Sequence, residues 1–220
     1  EAREAAVEAA IEQFSGEIVV TAQKREQIAQ DVPISLVALP GENIEYLGAQ
    51  DLQGLSAEVA GLNIVNVAPG SSSIASRGVT SLGGGLETNA VVGYYVDEVP
   101  ISASGQTPEF AMWDIERVEV LRGPQGTLFG RNSMGGLINI ITRSPLTYQG
   151  TNINLSAATY GCYHINAGHY AKINDDLALS LTANYQHNNG FYTNSFFDEQ
   201  VDIMDSYGFR GKLIYKISDQ

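Results

Sequence analysis

DIERVEVLRGPQGTLFGRNSMGGLINIIT, from Asp114 to Thr142, is the stretch that decides the fold. Val118 and Val120, then Ile138 and Ile140, recur at a spacing of two, the period of a strand. Between them lie Gly123-Pro124 and four further glycines, a turn followed by a glycine-rich hairpin. The segment therefore reads as strand, sharp turn, hairpin, strand. Glu119 and Arg122 bring charge into strands that are otherwise apolar, and buried charges need partners. Such a segment is built to dock inside something.

The same residues resemble the end of the plug domain of TonB-dependent outer-membrane receptors. Three more segments agree, in that family's order. EIVVTAQKR, Glu17 to Arg25, resembles the TonB box and its basic follow-on. ASRGV, Ala75 to Val79, resembles the plug's arginine-glycine strand. VVGYYVDEVPI, Val91 to Ile101, resembles the YVDGV strand, with Glu98 where glycine is usual. The resemblance runs from about residue 17 to 148 and continues weakly as barrel strands.

The chain has 220 residues and a net charge of -13, acidic in every part, so it carries no basic footprint for nucleic acid. Cys162 is the only cysteine, which rules out an internal disulfide and a multi-cysteine zinc site. His164, His169 and His187 lack ligand spacing, and no metal or cofactor is expected. No apolar run is long enough for a transmembrane helix. Glu1 to Phe14 has no apolar signal-peptide core. Val7, Ile11 and Phe14 fall at helical spacing, so this segment is expected to be a short helical or flexible tether.

Glu17 to Ala22 is β-prone, with Ile18, Val19, Val20 and Thr21 in succession. By itself this is either an edge strand of the next domain or a site of strand addition, in which a partner pairs through main-chain hydrogen bonds. Residues 31–68 read as a compact α/β unit: a strand at Pro33 to Val37, short helices at Gly41 to Leu47 and Gln50 to Leu55, a strand from Leu62 to Val67. Strands follow at Ile74 to Val79 and Val91 to Val96, and a helical turn carrying Trp113 at Phe110 to Ile115. The polar loops Thr80 to Asn89 and Ser102 to Phe110 separate them.

From Thr151 strict alternation takes over. Ile153, Leu155, Leu179, Leu181, Phe209 and Leu213 fall on apolar faces; Asn152, Asn154, Asn166, Asn184 and Arg210 fall on polar ones. Strands of about ten residues with one apolar face fit a membrane barrel or a half-buried soluble sheet. Short and long turns alternate, and tyrosines gather at strand ends, as a barrel's do. Four strands cannot enclose a plug, since plugged barrels have about 22. The sequence therefore reads as the N-terminal part of a longer receptor.

The fold expected is an α+β plug domain, a small mixed sheet with short helices, followed by antiparallel strands of an incomplete transmembrane β-barrel. The divisions are a tether at 1–16, TonB box and linker at 17–30, plug at 31–148, and the first four barrel strands at 149–220. No catalytic constellation is legible. The glycine-rich run lacks the lysine and hydroxyl of a phosphate loop, because Arg131-Asn132-Ser133 follows Gly130.

The remaining expectations come from the resemblance. It implies TonB-dependent active transport of a scarce solute, most commonly a ferric siderophore, across the bacterial outer membrane, with the plug gating the barrel. The partners implied are the TonB C-terminal domain with the proton-driven ExbB/ExbD complex, an extracellular small molecule and outer-membrane lipid. Glu17, Ile18, Val19, Val20, Thr21 and Ala22 are the implied TonB contact. Arg77 and Arg122 are expected to latch the plug to barrel glutamates, with Glu119 nearby; guanidinium suits a buried, directional pair. Leu82, Glu87, Thr88, Gln106 and Phe110, on the outward loops, are the expected substrate contacts. In this reading Asn174 to Asp176 is periplasmic, while Tyr160 to Cys162 and His187 to Asp205 are extracellular. The alternative is a soluble or cell-surface β-rich ligand-binding protein without transport.

Overall fold

The alternating apolar residues of the decisive stretch build the centre of the protein's larger mixed sheet. In the computed structural model, which describes residues 18–22, 24–25, 27–49, 51–68, 71–80, 90–101, 107–108, 111–190 and 192–217, they form β10 (Ile115–Arg122) and β11 (Gly136–Thr142), paired antiparallel. The strands before them, in chain order, are β1 (Val19–Val20), β2 (Gln27–Ile28), β3 (Leu36–Pro40), β4 (Leu62–Ala68), β5 (Ser71–Ser76), β6 (Val79–Thr80), β7 (Val92–Val96), β8 (Val99–Pro100) and β9 (Thr107–Pro108). The five-stranded sheet has the order β3-β10-β11-β7-β8. Only the β7–β11 pair is parallel. A smaller sheet joins β4, β5 and β6, with β9 beside β5.

Both faces of the larger sheet are covered, and this explains its near-continuous apolar strands. On one face Val118, Val120, Ile138 and Ile140 pack with Ile44, Leu52, Leu55, Ile64 and Tyr94 in the main core. On the other, Leu121, Leu137 and Tyr95 meet Val20, Ala22 and Val32. The described residues between Ile18 and Ile34 thus form a third layer laid on the plug sheet. Val20 and Ala22 are 0% and 1% exposed. Burying a valine of this kind contributes about 1.5–3 kcal/mol.

The helix Gly41–Leu47 forms where its pattern predicts, and Gly48, at φ 65°, ends it in the left-handed conformation. Gly41 is required because a Cβ there would run into the Ile115 carbonyl. Five expectations change in detail. The strand expected at Ile74 to Val79 is instead β5 and β6, parted by a turn in which Arg77 and Gly78 take positive φ, 51° and 78°. The strand expected at Pro33 to Val37 lies at Leu36–Pro40, in register with β10 from Leu36 opposite Leu121 to Pro40 opposite Arg117; an edge strand tolerates Pro40. The second helix is a 3-10 helix, Leu52–Ala57, capped by the Asp51 carboxylate accepting from Gly54 N–H at 3.0 Å. Residues 111–113 are not helical; the chain turns at Asp114 (φ 62°) straight into β10. The hairpin loop holds one helical turn, Gly126–Phe129, whose Phe129 ring meets Tyr95 edge-on at 5.3 Å. The expected tether, residues 1–16, lies outside the described residues.

Beyond the plug, β12 (Gly150–Ala157), β13 (Tyr163–Lys172), β14 (Leu177–Asn188) and β17 (Met204–Tyr215) form an antiparallel sheet in that order. The long loop before β17 contains its own hairpin, β15 (Tyr192–Asn194) with β16 (Glu199–Val201). The alternation sorts as the pattern implies. Ile153, Leu155, Leu181, Phe209 and Leu213 are exposed, Phe209 by 82%. Asn152, Asn154, Asn166 and Asn184 face the plug. These strands do not fold back to bury their apolar side in a globule of their own.

Candidate functional site: the box segment and the plug–wall contacts

β1 is positioned by its pairing with β2 and by a carboxylate from beneath. Val19 lies opposite Ile28 and Val20 opposite Gln27. Thr21 N–H donates to Glu119 Oε1 at 2.8 Å, and its hydroxyl reaches the same oxygen at 3.3 Å. Arg117 Nε donates to that oxygen too, at 2.8 Å, and Arg117 Nη2 reaches Thr21 Oγ1 at 3.4 Å. Glu119 is 0% exposed, so Arg117 supplies the charge that its burial demands. The residues expected to contact TonB are therefore docked on the plug from Ile18 to Ala22. Glu17 lies outside the described residues.

The expected latch divides in two. Arg77 and Arg122 come together. Arg77 Nη2 donates to Ser35 Oγ at 3.3 Å, and Arg122 donates its N–H to the Ser35 carbonyl at 2.9 Å and its Nη1 to Ala60 O at 3.4 Å. No carboxylate among the described residues lies in ion-pair range of either guanidinium. Glu119 does not join them, which corrects the expectation for it. It sits three residues before Arg122, and a strand sends residues at odd separations to opposite faces.

Contact with the wall strands β12, β13, β14 and β17 is made by acids of the plug and bases of the wall. Asp114, 3% exposed, accepts hydrogen bonds from Tyr170 Oη on β13 and Arg210 Nη2 on β17. Asp97 accepts from Thr142 N–H at 2.9 Å and from Thr142 Oγ1 at 2.7 Å, and pairs with Lys212 Nζ at 3.3 Å. Tyr170 also meets Tyr148 edge-on at 4.8 Å. None of these contacts was singled out from sequence. The only available signal was Arg210 and Lys212, two bases on the polar face of one wall strand.

Burial pushes the Asp114 carboxyl up from 3.8 to about 6, more than Arg210, Arg143 and Lys212 pull it down. A carboxyl raised in the docked state holds a proton that the undocked one has released. The proton-linked part of its contribution to docking, over and above its hydrogen bonds with Tyr170 and Arg210, is thus full below about pH 4 and lost as pH rises through about 6. Hydrogen exchange of residues 115–122 in the full-length receptor should show protection falling across that window. Asp114→Asn should remove the slope.

Between plug and wall lies a cavity of about 270 Å³, lined among others by Glu45, Trp113, Asn152, Asn166, Asn184 and Gln186. Its amides offer hydrogen bonds without net charge. The expected substrate residues Leu82, Glu87, Thr88, Gln106 and Phe110 all lie outside the described residues. Among the described residues no group of three or more His, Cys, Asp and Glu is arranged to hold a metal ion.

A family model described as TonB-dependent Receptor Plug Domain matches residues 28–137. The pesticin receptor of Yersinia pestis is 39% identical over 140 residues, which cover 61% of this chain and 20% of that protein. The vitamin B12 transporter BtuB of Vibrio vulnificus (strain CMCP6) is 29% identical over 182 residues, 81% of this chain and 29% of that protein. Among solved structures, the crystal structure of the ferric yersiniabactin uptake receptor FyuA from Yersinia pestis superposes with a TM-score of 0.70 at 28% identity, covering 82% of this chain and 28% of that one. The chain thus spans between a fifth and three tenths of the length of these relatives.

Proposed function

This chain belongs to the TonB-dependent receptor family, through its plug domain, and on that premise we propose that it serves the active import of a ferric siderophore across the bacterial outer membrane. The family is one of outer-membrane transporters, not enzymes. The observation that carries the proposal is the seating of the plug against the polar face of strands whose apolar face looks outward. A stopper held in a lipid-facing wall requires that arrangement. The choice of cargo is supported by the likeness to the ferric yersiniabactin receptor over 82% of the chain. The vitamin B12 transporter makes a cobalamin the competing cargo.

Residues 17–30 serve as the box and linker, 31–148 as the plug and 149–220 as the first strands of the wall. Solute is captured outside by loops 80–89 and 102–110, together with barrel loops. The TonB C-terminal domain, driven by the ExbB/ExbD complex, adds a strand at residues 17–22 and pulls the plug partly open. Backbone pairing suits that task because it resists tension along the strand without any special side chain. Arg77 and Arg122, held close together at Ser35, await carboxylates from further wall strands.

Uptake of iron-55 siderophore complexes and of labelled cobalamin by cells producing the full-length receptor tests this. Accumulation of an iron complex that a protonophore abolishes is expected. Protonophore-insensitive accumulation would sink energised import, and accumulation of cobalamin alone would reassign the cargo.

A further inference from the structure

The strand edge that a partner would use is already taken by a side chain. Ala29 N–H donates to the Ile18 carbonyl at 2.8 Å, which makes 18 and 29 a hydrogen-bonded pair. In an antiparallel ladder such pairs alternate, so the backbone groups of Val19 and Thr21 point away from β2. That outward edge is where an added strand would pair. Its Thr21 N–H is engaged by Glu119 Oε1, and the Thr21 carbonyl accepts from Lys24 N–H at 2.8 Å.

We propose that Glu119, steadied by Arg117, is a clasp that masks the outward edge of β1, and that a partner strand gains the edge only when Thr21 lets go. The proposal rests on the reading of residues 17–22 as the strand-addition site. Three observations carry it. Glu119 is fully buried beneath β1 and spends one oxygen on both the backbone and the hydroxyl of Thr21. The bond to Arg117 survives release, so departure of Thr21 does not strand an unpaired buried charge. The other Glu119 oxygen and the Asn139 amide, opposite it across the β10–β11 ladder, have no hydrogen-bond partner among the described residues. The socket therefore keeps polar groups to receive Glu119 in a second arrangement. A purely structural ion pair would have no need of Thr21.

The test uses the full-length receptor, ligand-free, in outer-membrane vesicles, with Cys162→Ser as background. Two reporters are compared, Val20→Cys under the clasp and Val118→Cys on the opposite face of β10; both positions are 0% exposed. Glu119→Gln should speed maleimide labelling at position 20 by roughly tenfold, the scale of one charge-assisted hydrogen bond, and leave position 118 unchanged. Thr21→Val, which removes only the hydroxyl, should give a smaller rise. No change at position 20 overturns the clasp; so does an equal rise at both positions, which would report a loosened plug. Binding of the purified TonB C-terminal domain is measured on the same vesicles. Faster labelling with unaltered TonB binding upholds the clasp and sinks the strand-addition reading on its own.

Discussion

Cells producing the full-length receptor with Val19→Pro are expected to bind ligand normally and to accumulate none. The geometry of β1 makes this substitution unusually selective. Val19 forms the non-hydrogen-bonded pair with Ile28, so its N–H points away from β2 and proline spares the internal ladder. Val19 is also 45% exposed, whereas Val20 is buried, so the ring meets little packing. What is lost is one main-chain donor on the edge proposed to pair with TonB. Val19→Thr keeps that donor and should transport at the parental rate. Uptake should fall to that of cells lacking TonB; full uptake by the proline variant would refute the assignment of the box.

The second large effect belongs to the wall contact. Asp114→Ala is expected to weaken plug docking by about 2 kcal/mol, because it removes the carboxylate to which Arg210 Nη2 and Tyr170 Oη both donate. Part of that loss comes from the backbone, since Asp114 sits at φ 62°, a conformation that aspartate and asparagine tolerate better than alanine. Asp114→Asn separates the two contributions by keeping the conformation and an acceptor while removing the charge. The double variant Asp114→Asn with Arg210→Met should recover part of the loss, since the cation that the carboxylate served is removed with it. Urea-dependent hydrogen exchange of the plug within the intact receptor measures all three. Equal protection in Asp114→Ala and parent would show that the contact is incidental.

Elements governed by local pattern were legible in the sequence. The helix Gly41–Leu47 lies at the bounds read from the sequence, and the wall strands follow the period-two alternation that the register reproduces. What escaped was set by distance along the chain. Thr21 and Glu119 are 98 residues apart, and Asp114 and Arg210 are 96 apart. Nothing local in either segment names the partner. Glu119 does stand out in the sequence as a charge in an otherwise apolar strand, which demands a partner. Its grouping with Arg122 failed because the two occupy opposite faces of one strand. The 3-10 helix at Leu52 and the irregular run at 111–113 reflect tertiary context that short propensities do not carry.

Three attachments share a single eight-residue strand. β10 begins one residue after the anchor to the wall at Asp114, holds the box segment at Glu119, and ends with Arg122 beside Arg77 and Ser35. A tug on the periplasmic end of the chain therefore enters this rod partway along, and its two ends are tethered on different supports. β3 and β11 brace that rod on either side, so a load entering it is shared across the sheet.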